Sequence, residues 1–121
     1  MVIRLKDAII DSVDDTETRR LRLLKISSKS DGAALTLELP EALCGALNTS
    51  DVVDIVVDSK PIPKSDASKL YIEGTVFKKS DKKGLEVIGS IGGLRFVINI
   101  AKATPSQIST FDTEKFYLTI K

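Results

Sequence analysis

The chain reads as an all-β protein, and three observations carry that reading. Alternation of apolar and polar residues recurs along nearly its whole length, helical periodicity occurs once, and clusters of turn-forming residues interrupt the alternation at short intervals. Eight strands fit the pattern, at about Ile3 to Val13, Arg19 to Ser28, Ala33 to Leu39, Val52 to Ser59, Lys69 to Lys79, Leu85 to Ile91, Leu94 to Ile100 and Lys115 to Lys121. Eight antiparallel strands in 121 residues favour closure into a small barrel or a tightly coiled sheet, because an open sheet of that size exposes long edges. One domain spanning residues 1–121 is the simplest organisation, large enough to bury roughly two-thirds of the surface of the unfolded chain.

The first strand is the least regular. Ala8, Ile9 and Ile10 are adjacent, so either a bulge or burial on both faces is expected there. Turn chemistry follows at Asp14-Asp15-Thr16-Glu17 and again at Ser30-Asp31-Gly32. The single helical signal is Pro40-Glu-Ala-Leu-Cys-Gly-Ala-Leu47. Pro40 suits a first helical position and Leu43 and Leu47 lie four apart, which predicts about two turns capping one end of the sheet, with Cys44 as core filler. Gly45 weakens that helix. In the next strand Val53, Ile55 and Val57 share a face, and its apolar character predicts a central position. Residues 59–69 hold two prolines and are read as a surface loop dividing the chain into two four-strand halves. Ser80-Asp81-Lys82-Lys83-Gly84 is a further turn.

Residues 85–100 allow the pairing register itself to be written down. Gly92-Gly93 supplies the positive φ values that a two-residue hairpin turn requires. Leu85 then faces Ile100, Val87 faces Ile98, Gly89 faces Phe96 and Ile91 faces Leu94. The other face carries Glu86 with Asn99, Ile88 with Val97 and Ser90 with Arg95. A one-residue slip would carry the apolar set to the other face. Phe96 is expected to cover the gap left by Gly89, and Ser90 and Arg95 to lie outside, where a partner can reach them.

Composition narrows function. His is absent and Cys44 is alone, which removes structural zinc, His-based acid/base catalysis and Ser-His or Cys-His nucleophile pairs. A net charge of +1 gives no electrostatic footprint for tight, sequence-independent nucleic-acid binding. No apolar run approaches the roughly 20 residues of a membrane span, so a soluble intracellular protein is expected. The carboxylates Asp14, Asp15 and Glu17 form no catalytic motif. Gly89, Gly92 and Gly93 are turn-makers, since a phosphate loop leads from a strand into a helix and here a strand follows. No catalytic residue, metal site or cofactor is assigned. Lys78, Lys79, Lys82 and Lys83 surround a hairpin tip and are candidate phosphate contacts, a charged exposed turn being the plainer reading. Phe96 and Phe116 look committed to the core, leaving Tyr71, Phe77, Phe111 and Tyr117 as candidate partner contacts beside Ser90 and Arg95.

The order of these elements resembles the small eighth subunit of archaeal and eukaryotic DNA-directed RNA polymerase. Four features carry the resemblance: Leu35-Thr-Leu-Glu-Leu39 with the short helical piece and Ser50-Asp-Val-Val-Asp-Ile-Val-Val57; Leu70-Tyr-Ile-Glu-Gly-Thr-Val-Phe77 with Gly74 in mid-strand; Ser90-Ile-Gly-Gly-Leu-Arg-Phe96; and Phe111-Asp-Thr-Glu-Lys-Phe-Tyr-Leu-Thr-Ile-Lys121. The short loop at Ser59 to Ser68 is similar to the archaeal form, and Ile91 stands where eukaryotic members carry an aromatic residue. The resemblance implies an eight-stranded antiparallel barrel built like two oligonucleotide-binding-fold halves. It also implies a non-catalytic, structural role, docked on the largest polymerase subunit, in the cytoplasm or, in a eukaryote, the nucleus.

Two other classes compete. A single-stranded nucleic-acid-binding barrel would use the Lys78 to Lys83 tip with exposed Tyr71 or Phe77. Leu35 to Val57 also resembles the swapped-hairpin unit of the transition-state-regulator family of DNA-binding proteins, but it contains neither Arg nor Lys.

Overall fold

The computed structural model describes residues 2–17, 20–30, 32–45, 47–62, 70–82 and 84–121. Eight strands run β1 Val2–Asp15, β2 Leu21–Ser28, β3 Ala33–Pro40, β4 Val52–Asp58, β5 Leu70–Ser80, β6 Leu85–Ile91, β7 Leu94–Ile100 and β8 Lys115–Ile120, with one short helix, α1, at Pro105–Ser109. All neighbouring pairs are antiparallel and the sheet closes on itself in the order β1-β2-β3-β7-β6-β5-β8-β4. Closure settles the choice between barrel and coiled sheet, and it leaves no strand edge. β3 and β4 are not neighbours, so Leu35 to Val57 is not a hairpin here.

The strand order contains a repeat. In the first half β4 lies beside β1 of the β1-β2-β3 meander, and in the second β8 lies beside β5 of the β5-β6-β7 meander. Each half is therefore a Greek key, with its fourth strand returning beside its first. The halves meet like to like, β3 on β7 and β4 on β8, which is the arrangement of an approximate two-fold axis crossing the barrel. The first strand of each half is its longest, at 14 and 11 residues, and each carries a bulge against the second strand. In β1 the register against β2 shifts between Ile10 and Ser12. In β5 the register against β6 shifts between Val76 and Lys78.

The irregularity expected near Ala8 is a bulge, and β1 holds two. Besides the shift at Ile10/Ser12, the register against β4 shifts between Leu5 and Ala8, where Asp7 adopts φ 55° and its backbone N–H donates to Asp54 Oδ1 at 3.0 Å. The bulges turn Ile9 outward, leaving Ala8 and Ile10 inside.

The barrel interior is filled by alternate residues of every strand, as the small radius of eight strands demands. Ile3, Ile10, Leu24, Leu37, Ile55, Val57, Val87, Ile98, Leu118 and Ile120 are wholly buried, each stabilising the fold by roughly 1.5–3 kcal/mol relative to exposure. Three rings stack through the centre: Phe96 and Phe116 lie 4.7 Å apart between centroids, and Phe111 meets Phe116 edge-on at 5.7 Å. The side chain nearest the gap at Gly89 is Phe116 and not the expected Phe96: a Cβ there would meet the Thr75 carbonyl oxygen at 2.9 Å and Phe116 Cε1 at 3.0 Å.

The long connections close the barrel ends, and here the helix expected at Pro40 to Leu47 is corrected. Pro40 ends β3, paired with Leu21, and the chain makes a single 3-10 turn over Glu41–Leu43 before Leu47 drops into the core. Leu43 is 46% exposed and does not share Leu47's environment. The α-helix lies instead in the equivalent connection of the second half. Thr104 caps it through a reciprocal box with Gln107, and Pro105 occupies its first turn. The strand starts predicted at Arg19 and Lys69, Asp31 of the second turn, and the loop from Pro63 to Lys69 lie outside the described residues. Among the described residues no helix is long and apolar enough to cross a membrane.

Candidate docking surface

The β6–β7 hairpin presents the register written from the sequence, all seven pairs from Leu85–Ile100 to Ile91–Leu94. Gly92 and Gly93 adopt φ 58° and 86° and are exposed at its tip. Alternation then fixes the outer face of this side of the barrel. Leu85, Val87, Gly89, Phe96, Ile98 and Ile100 point inward, so Ile88, Ser90, Arg95 and Val97 point out. Arg95 is exposed as expected, whereas Ser90 points outward but is half-buried, and the Arg95 backbone N–H donates to Glu38 Oε1 at 3.0 Å.

Phe77 is the most exposed large hydrophobic among the described residues, at 82%. Along β5 the residues Leu70, Ile72 and Gly74 are buried and Val76 packs on the core, so Phe77 falls on the outward phase. The bulge then leaves Phe77 as the extra residue between the pairs Val76–Gly89 and Lys78–Ile88. Two consecutive side chains, Phe77 and Lys78, are thereby both exposed beside the outward Ile88. The alternation and the adjacency of Val76 and Phe77 were the sequence signals for this. The pairing Ile88–Val97 was visible in the hairpin register, but its continuity with Phe77 was not.

The remaining candidates separate into free and committed groups. Phe111 is 2% exposed and packed on Phe116, so it is a core residue and no partner contact. Tyr71 is half-buried and its hydroxyl accepts the Ile62 N–H at 3.1 Å, holding the chain that leaves β4. Tyr117 is half-buried on β8, opposite Glu73 and Asp58. Lys78 and Lys82 are exposed. Lys79 is turned to Asp112 in an ion pair, which removes it from the set open to phosphate. Lys83 lies outside the described residues. Cys44 is only half-buried; its thiol donates to the Pro40 carbonyl, and burial raises its pKa, an effect opposed by the Arg22 guanidinium and reinforced by Glu41.

A second, smaller apolar spot lies across the barrel. Ile9 and Val52 face each other in the β1–β4 ladder, 42% and 59% exposed, and β1 and β4 stand opposite β6 and β7 in the closed order. Comparison with family models and with curated proteins finds no match to this chain.

Proposed function

We propose that this chain is a non-catalytic small subunit of a multi-subunit DNA-directed RNA polymerase, docking on the largest subunit and serving assembly or stability of the complex. The observation that carries the reading is the coincidence of the resembling segments with the frame of the barrel. They are β3 with its 3-10 turn and β4, β5 with Gly74 at its centre, the β6–β7 hairpin, and β8 with Phe111 and Phe116. The doubled Greek key agrees with the two oligonucleotide-binding-like halves that the resemblance implies. Fold alone licenses no nucleic-acid binding. Tagged chain expressed in its native cell should recover the large polymerase subunits; recovery of none of them refutes the reading.

A second reading has one observation in its favour, the exposed Phe77 ring next to Lys78, which is the pairing of stacking platform and cation used by single-stranded nucleic-acid binders. Oligonucleotide binding that falls steeply with salt supports it, and no binding at low salt removes it.

A further inference from the structure

We draw no further inference here: the strongest candidate, the outer face of β5, β6 and β7 where Phe77 stands exposed beside Lys78 and Ile88, carries none, because the outward acids Asp11, Glu38, Glu73 and Glu86 balance Lys25, Lys78 and Arg95 on that side of the barrel and nothing in the structure shows what covers it.

Discussion

Phe116 stands directly opposite Gly74 in the β5–β8 ladder, and its ring occupies the volume in which a side chain at residue 74 would have to sit. A Cβ on Gly74 would lie 2.4 Å from Phe116 Cζ and 2.9 Å from Ile91 Cγ1. The glycine is inward-facing and needs no unusual backbone angle, so its role is space. Gly74→Ala should cost about 1–3 kcal/mol of stability by overpacking. It should cost less in a Phe116→Leu background, because the two changes share one cavity. Equal costs in both backgrounds, read from denaturant midpoints, would contradict the packing account.

The turn glycines should behave differently from Gly74. Nothing lies within 4 Å of a Cβ at Gly92 or Gly93, so any penalty there is purely conformational. At φ 86°, Gly93→Val should destabilise by about 1–2 kcal/mol. Gly92→Asn, at φ 58°, should cost less, since asparagine tolerates the left-handed region. A Gly93→Val variant that folds with wild-type stability yet loses its partner would show the turn to be a contact site.

Thr119 faces outward by alternation on β8 yet is almost wholly covered, between Val56 and Tyr71 in the ladder. Its Oγ1 has no hydrogen-bond partner among the described residues. Replacing a buried, unsatisfied hydroxyl by a methyl of the same shape removes a desolvation cost. Thr119→Val should therefore raise stability by about 1 kcal/mol, and a loss of that size in a thermal melt would mean that the hydroxyl is bonded.

Burial raises the Cys44 pKa, so the folded chain holds its thiol proton more tightly than the unfolded chain does. Any stability this gives is present at neutral pH and is lost as pH rises through the folded pKa. Thiolate is the reactive form. Alkylation of Cys44 at mildly alkaline pH should be slower in the native protein than in denaturant, and an equal or faster native rate would contradict the half-buried placement.

The β6–β7 register was legible because a two-residue turn leaves no freedom in pairing, and one face of the resulting hairpin is wholly apolar. The barrel was legible as one of two options, through strand number alone. Helix α1 escaped because five residues show no periodicity. Its local signal was present all the same in Thr104-Pro-Ser-Gln107, a capping box with proline in the first turn. The burial of Phe111 escaped for the same reason: it depends on α1 bringing the chain back over the barrel end. The opposite error occurred at Pro40 to Leu47, where a four-residue leucine spacing suggested a helix but strand β3 runs on through Pro40. Phe77 was legible as a candidate. Its place as the extra residue of the β5 bulge emerged only from the pairing with β6.

Affinity recovery from the native cell tests the central claim most directly. Tagged full-length chain that brings down the large polymerase subunits is the predicted result. Tagged chain that brings down none of them would contradict it.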